Sequence, residues 1–271
     1  NLQNNQMNIE ELNFNRESVK TLNGKKFFIS CDEYKEMRMD LHTGFINKLK
    51  TFLKKFPDLY AFIFYFIAPA VFLGKEPKHI YKFLPKDSAV LDIGSGNRRL
   101  CKEIINVDVH PWSEIDIVAD AHDLPFTDNS IDGIIFSWVL EHMKDPEKVI
   151  SEMHRILRKG GYLYLSTNFI TPYHPSPKDY CRWTADGLRV LLKDFKIIEL
   201  KPHVGPTCAF LSVFQEWLAL VLSFNIKILK DLLWIFFVVV TSPFKLLDLI
   251  FIRYSFAETI AAGFYLVAKK E

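Results

Sequence analysis

VLDIGSG, residues Val90 to Gly96, is the stretch whose reading decides the fold. Val90, Leu91 and Ile93 form a short apolar run, the pattern of a strand buried on both faces. Asp92 lies near its end, and Gly94-Ser95-Gly96 then turn the chain sharply. Glycine permits positive φ and lets backbone approach a ligand closely. A second acid, Asp108, closes the next apolar run (Ile104, Ile105, Val107), and a third, Asp120, closes the run after that (Ile115, Ile117, Val118, Ala119). Three strands ending in carboxylates, the first followed by a glycine turn, describe the carboxyl edge of an open α/β sheet, where nucleoside-containing ligands bind.

The spacing limits what joins these strands. Asp92 and Asp108 are 16 positions apart, against about 20 in a dinucleotide fingerprint. A full G-x-G-x-x-G would also need glycine where Arg99 stands, which argues against a nicotinamide site. The first crossover helix is expected to be clipped to a turn or two. The second is expected to be missing, because Val109 to Ile115 leaves no room and contains Pro111. The strands are predicted at Ala89–Ile93, Ile104–Val109, Ile115–Ala119, Ile131–Phe136, Tyr162–Ser166 and Phe195–Leu200, with Ala261–Lys269 as the last. Asp145 with Pro146 behind it reads as a helix start, Val149, Ile150, Met153, Ile156 and Leu157 follow helical spacing, and Gly160-Gly161 reads as the stop. Thr184 reads as the cap of another helix, carried by Leu188, Val190, Leu191 and Leu192.

The 271 residues suffice for one large domain with additions, and 49% hydrophobic and 14% aromatic residues supply ample core. A net charge of +2 gives no field that would point to nucleic acid, so no nucleic-acid partner is expected. Cys31, Cys101, Cys181 and Cys208 are scattered with no C-x-x-C pair, read as reduced thiols with neither zinc nor disulfides. No metal is expected, and no secretory signal is read at the start, which is Asn1 rather than Met.

Three divisions follow. Residues 1–44 are a polar extension, loosely attached over Asn1 to Asn15, with a hairpin turning at Asn23-Gly24. Residues 45–88 are a helical, partly apolar lead-in: a basic amphipathic segment (Phe45 to Phe56) precedes an uncharged one (Leu59 to Leu73) that Pro69 interrupts. It is shorter than the ~20 residues a span needs, and reads either as a helix packed on the core or as one lying in a membrane interface. Residues 89–271 are the α/β domain, with an apolar helical insert at 206–254. In that insert Phe210, Leu211, Val213, Phe214, Trp217, Leu218, Leu220 and Val221 make a wide apolar face, and Ser212, Gln215, Glu216 and Ser223 a narrow polar stripe. Leu232 to Val240, ended by Pro243, and Phe244 to Tyr254 would be two more helices. None is a persuasive single span, and the three read either as a private mini-core or as a platform for membrane or lipid.

Four segments in order now name a family. VLDIGSG, VDVHP (Val107 to Pro111), ADAHDLPF (Ala119 to Phe126) and SWVLEHMKDPEKVISEMHRILRKGGYLYLS (Ser137 to Ser166) resemble the motifs of class I S-adenosylmethionine-dependent methyltransferases. The resemblance is to the methyltransferase type 11-like branch, with ubiquinone and menaquinone C-methyltransferases and many O-methyltransferases. It implies an α/β, Rossmann-like seven-stranded sheet of order 3-2-1-4-5-7-6, last strand antiparallel, here with shortened first helices and the insert between strands 6 and 7. It implies S-adenosylmethionine as cofactor. Asp92, Gly94 and Gly96 would line its methionine portion, Asp108 would accept from the ribose hydroxyls, and Asp120 or the Ala121–His122 backbone would face the adenine. Ser137 and Trp138 would sit beside the sulfonium. The chain departs from the motif at Arg98, where a small residue is usual. Arg98 and Arg99 are candidates for the cofactor carboxylate. The N-terminal hairpin is similar in placement to small zinc ribbons fused to some methyltransferases, but would be metal-free.

Methyl transfer from a sulfonium is an in-line displacement in which the protein aligns the reactants and excludes water. An oxygen nucleophile also needs a proton acceptor. His142, after the fourth strand, is the first candidate. The loop Asn168 to Trp183 is the second region, with His174 as a catalytic candidate and Tyr180, Arg182 and Trp183 as substrate contacts, though its aromatics would equally serve to dock it. A loop of this kind resembles those of bacterial methyltransferases encoded with glycosyltransferases, which implies O-methylation of a saccharide, lipid or lipid-linked acceptor. A quinone-like C-methyltransferase and a non-catalytic cofactor-fold binding module are the alternatives. The expected setting is cytoplasmic, with a peripheral contact at the membrane's cytoplasmic face through 45–73 and 206–254.

Overall fold

The computed structural model describes residues 12–30, 70–175 and 178–271, and among these nine strands form one sheet. They are β1 (Lys20–Leu22), β2 (Lys25–Phe27), β3 (Val90–Ile93), β4 (Ile105–Asp108), β5 (Ile117–Val118), β6 (Ile131–Ser137), β7 (Leu157–Asn168), β8 (Phe195–Val204) and β9 (Gly263–Lys270). The order across the sheet is β1-β2-β5-β4-β3-β6-β7-β9-β8. β5, β4, β3, β6 and β7 are mutually parallel, and β9 runs antiparallel between β7 and β8. The hairpin β1-β2 adds two strands to the seven expected, because β2 pairs in parallel with β5. Asn23 and Gly24 both take positive φ, as a two-residue hairpin turn requires.

The extension is attached sooner than its polarity suggests. Leu12 is buried, Phe14 stacks between Phe28 and Phe126, and Asn15 N–H donates to Pro125 O at 3.0 Å. Two apolar side chains in a polar run are enough to dock it. The earlier residues, Cys31 and most of the lead-in helices lie outside the described residues, but the last four residues of the second, Ala70 to Leu73, are not helical: Phe72 bridges Val204 and Leu73 N–H donates to His203 O at 3.0 Å.

Neither early crossover contains a helix. Arg99 replaces the first: its guanidinium donates to Ile104 O (2.9 Å), Glu114 O (2.7 Å) and Asp116 Oδ1 (2.8 Å), tying the loop after β3 to the loop before β5. Asn106 Nδ2 adds bonds to Arg98 O and Glu114 O, both at 2.9 Å. Arg99 is therefore a staple of the loops and is not free to clamp a cofactor carboxylate.

The helices are α1 (Pro146–Ile156), α2 (Ala185–Leu191), α3 (Pro206–Leu222), α4 (Lys227–Thr241) and α5 (Asp248–Phe251). Asp145 caps α1 through Lys148 N–H and Thr184 caps α2 through Gly187 N–H, both at 3.0 Å. The glycine pair does not stop α1. The helix ends at Ile156, Leu157 is already extended (ψ 138°), and Gly160 at φ +83° lies within β7, where the pairing to β6 shifts register.

In the insert, α4, a 3₁₀ stretch (Ser242–Leu247) and α5 form one continuous helical run, and Pro243 does not end it. Proline at the start of the 3₁₀ turn forfeits only an amide that has little to bond there. Asp248, fully buried, reaches back to the start of α3 and accepts from Thr207 N–H and Cys208 N–H at 2.8 Å each. The two long helices are thus a hairpin tied at its base, with Phe224 at the far turn 81% exposed. Its polarity is inverted. Gln215 and Ser223 of the polar stripe are buried, and Gln215 Nε2 donates to Thr241 Oγ1 at 2.6 Å. Phe210, Val213, Trp217, Leu220 and Val221 face outward.

Candidate active site

The carboxyl ends of β3, β4, β6 and β7 converge on the expected residues. At the end of β3, Gly94 takes φ +72° and Gly96 φ +60°. A Cβ on Gly94 would lie 2.6 Å from Val139 Cγ2, so glycine is required there for space as well as for φ. At Gly96 no protein atom lies within 4 Å of such a Cβ, so its requirement is the backbone conformation alone. Asp108 fixes this turn: Oδ2 accepts from Gly96 N–H at 2.9 Å and Oδ1 from His110 N–H at 2.8 Å. Burial pushes its pKa up, and these bonds pull against that.

Asp92 is 1% exposed, and its Oδ2 is buried without a partner, as is Ser95 Oγ. Burial, countered by Arg98 and reinforced by Asp108, raises the Asp92 pKa to about 7. Two orphaned polar atoms beside a glycine turn are what a cationic, hydroxyl-bearing nucleoside cofactor would satisfy, so the residues fit the group that the sequence implies. A pH dependence follows. A bound cation favours ionised Asp92, so binding releases a proton wherever free Asp92 is protonated. Cofactor affinity is expected to rise with pH by up to about tenfold per unit below 7 and to level off above it. Calorimetry across pH checks this, with Asp92→Asn expected to flatten the profile.

The adenine-side loop is held from two directions. From α1, Glu152 Oε2 accepts from Leu124 N–H at 3.0 Å, and Arg155 donates to Leu124 O at 2.9 Å and Phe126 O at 2.8 Å. From the N-terminal segment, Arg16 Nη1 donates to both carboxylate oxygens of Asp123 at 2.9 and 2.8 Å, and Nη2 to its backbone O at 2.9 Å. Asp120 Oδ1 takes both the backbone N–H and the ring Nδ1 of His122, at 2.9 and 2.8 Å. Burial opposes ionisation there, but the His122 bonds win and its pKa is lowered. Asp120 thus shapes the turn at Ala121–His122, and His122 borders an open groove of about 650 Å³ with Lys144 to Lys148. A second cavity, about 330 Å³ between the hairpin and Val118, includes none of the expected cofactor residues.

Ser137 Oγ lies 2.8 Å from Ser166 Oγ across β6 and β7. Trp138 has φ +60°, and its ring packs against Phe72, His203 and Gly263. His203 was not singled out from the sequence. It is 3% exposed, and burial lowers its pKa to about 4, so it is neutral.

Glu141 is the residue that sequence reasoning missed, although it stands inside the quoted LEHM. It is fully buried on a 3₁₀ turn (Leu140–His142), where Oε2 accepts from Thr167 Oγ1 at 3.1 Å and Oε1 from Asn168 Nδ2 at 2.6 Å. Its carbonyl accepts from Tyr180 N–H and Cys181 N–H at 2.8 and 3.3 Å, docking the loop after β7. Burial raises its pKa. His142 and His174 come together with ring centroids 5.1 Å apart. His142 Nδ1 lies 2.5 Å from Lys178 O; a carbonyl only accepts, so Nδ1 carries the hydrogen, and in the neutral tautomer Nε2 holds the lone pair. Arg182 is committed within the loop: it forks onto Asp179 and donates to Pro172 O at 3.0 Å. Burial alone would raise the Asp179 pKa, but Arg182 and the His174 N–H hold it at about 2. Trp183 packs on the core, so Arg182 and Trp183 build the loop, while Tyr180 is 46% exposed.

Known proteins resemble this chain over part of its length. Residues 74–165 match the family model described as a methyltransferase domain. A ubiquinone/menaquinone biosynthesis C-methyltransferase of Psychromonas ingrahamii is 33% identical over 104 residues, 38% of this chain and 36% of that protein. An O-methyltransferase of Aspergillus sclerotiorum is 30% identical over 108 residues, 34% of this chain and 41% of that one. The chain thus spans well under half the length of these relatives. Among solved structures, a putative sarcosine dimethylglycine methyltransferase from Galdieria sulphuraria is 13% identical, with a TM-score of 0.47 covering 78% of this chain and 97% of that one.

Proposed function

Because the chain carries a class I S-adenosylmethionine-dependent methyltransferase domain, we propose that it O-methylates a saccharide, lipid or lipid-linked acceptor by in-line transfer. The observation that carries this reading is the adjacency of two half-sites. The glycine turn with Asp92 and Asp108 follows β3 and β4, and the imidazoles of His142 and His174 follow the neighbouring β6 and β7.

When bound, S-adenosylmethionine supplies a methyl group already activated on a sulfonium. The chain's residues do the rest. Asp108 would hold the ribose hydroxyls, and ionised Asp92 would face the cationic methionine end. His142 Nε2, or His174 beside it, would take the acceptor's hydroxyl proton. Tyr180 offers an exposed ring and hydroxyl to the acceptor.

The insert favours an acceptor met at a lipid surface. Among the described residues, one helical run, Lys227–Phe251, is long and apolar enough to cross a membrane, with mean hydropathy 1.9 and 22% of it buried. Asp248 ties its end to the start of α3, so both ends of the hairpin return to the same place. That favours a hairpin seated in one leaflet over a span. Polar side chains inside and apolar ones outside suit a hydrocarbon surround. The setting we propose is the cytoplasmic side of a membrane, held peripherally.

The test is a methyl-transfer assay with labelled cofactor on an extract of the source cell, split into lipid and aqueous fractions. Label on an oxygen in the lipid fraction is expected. Label on a ring carbon would instead establish quinone-like C-methylation, the reaction in the names of several similar proteins. No label in either fraction, with cofactor bound, would leave a binding module.

A further inference from the structure

Glu141, His142 and His174 each offer one donor atom, and the three atoms lie within 4.8 Å of one another. Two come from the 3₁₀ turn after β6 and the third from the loop after β7, so distant parts of the chain build the cluster. Two of the donors are also backed by hydrogen bonds on their far sides, and the third lies beside a carboxylate. His142 Nδ1 donates to Lys178 O at 2.5 Å, leaving Nε2 free to ligate. His174 lies beside Asp179, with Nδ1 3.8 Å from Oδ2 and its backbone N–H donating to that oxygen at 2.8 Å. Glu141 is anchored by Thr167 Oγ1 and Asn168 Nδ2, one bond to each carboxylate oxygen, so each keeps a lone pair. The carbonyl behind His142 and the donors on Glu141 are the outer contacts that orient metal ligands, and the Asp179 carboxylate stands close enough to His174 to take up that place when the ring turns.

We propose that these three residues bind a divalent ion of the zinc class. Two imidazoles and one carboxylate suit such an ion and leave one tetrahedral position open. Ligands about 2.1 Å from an ion stand roughly 3.4 Å apart in a tetrahedron. His174, 52% exposed on its loop, is the ligand able to swing in and close the difference. The inference rests on reading this cluster as the acceptor side of the site and deepens that reading. In the loaded protein the imidazoles act as ligands, and the open position binds the acceptor hydroxyl. The ion lowers that hydroxyl's pKa, so its proton leaves to solvent and the oxygen takes the methyl group from the sulfonium.

The full chain, stripped with chelator and dialysed, is titrated with Co²⁺ while visible absorption is followed, and Zn²⁺ is then added in competition. S-adenosylhomocysteine binding is measured on the same samples to show that the fold persists. One equivalent of Co²⁺, displaced by Zn²⁺, is expected. His142→Ala and His174→Ala should each weaken it at least about tenfold, and Asp179→Asn by about 10- to 100-fold. A chain that binds S-adenosylhomocysteine but takes up no stoichiometric Co²⁺ would overturn the proposal. So would histidine variants that bind Co²⁺ as tightly as the parent. Stoichiometric uptake in a chain that transfers no methyl group would support the ion site while removing the acceptor reading.

Discussion

Replacing Asp108 with alanine is expected to weaken S-adenosylhomocysteine binding by a factor on the order of 10²–10⁴. The carboxylate is 9% exposed and aimed from the end of β4 by two backbone N–H groups. It would accept from two ribose hydroxyls, and a hydrogen bond to a charged group contributes about 1.5–3 kcal/mol. Two such bonds, at 1.4 kcal/mol per tenfold, give that range. The alanine variant also frees Gly96 N–H, so part of the loss comes from the turn. Asp108→Asn separates the two effects: it keeps one carbonyl acceptor and the side chain's shape, and should lose only about tenfold. Equal affinities in all three proteins would remove Asp108 from the cofactor site.

Glu141→Ala should give the largest loss of stability. It leaves Thr167 Oγ1 and Asn168 Nδ2 without their partner in a fully buried place. Each orphaned group costs about 1–3 kcal/mol, and the emptied volume adds to that. The total, about 3–5 kcal/mol, corresponds to a fall in Tm on the order of 10 °C for a chain of this size. The damage should be local first, because Glu141 also seats the loop after β7 through Tyr180 N–H and Cys181 N–H. Amide exchange over 171–183 should quicken before that of β6 and β7. Glu141→Gln retains one acceptor and should lose less than half as much. An alanine variant with unchanged Tm and unchanged exchange would contradict this role.

What the sequence shows best is what is local. The glycine turn, the acids at the strand ends and the caps at Asp145 and Thr184 are each decided by a few consecutive residues, and the structure has them. What it hides is decided at a distance. Glu141 meets Thr167 and Asn168, 26 and 27 positions on, so nothing near LEHM marks its carboxylate as buried. Asp248 caps a helix that starts about 40 residues earlier. Charge alone offers Arg99 as a ligand clamp or a surface arginine, whereas Glu114 and Asp116 claim its guanidinium. Gly160-Gly161 was read as a helix stop because glycine usually ends helices. Here the strand begins before it, and the glycine absorbs a register shift. In the insert the periodicity correctly separates a polar stripe from an apolar face, but periodicity alone does not say which of them points inward.

If the carboxyl edge of β3 and β4 is a methyl-donor site, the chain binds the demethylated cofactor there. Calorimetric titration of the full chain with S-adenosylhomocysteine tests it most directly. The account expects one equivalent bound, with affinity that rises with pH up to about 7 and then levels off, and that falls sharply in Asp108→Ala. A folded chain that takes up no S-adenosylhomocysteine or S-adenosylmethionine would contradict it.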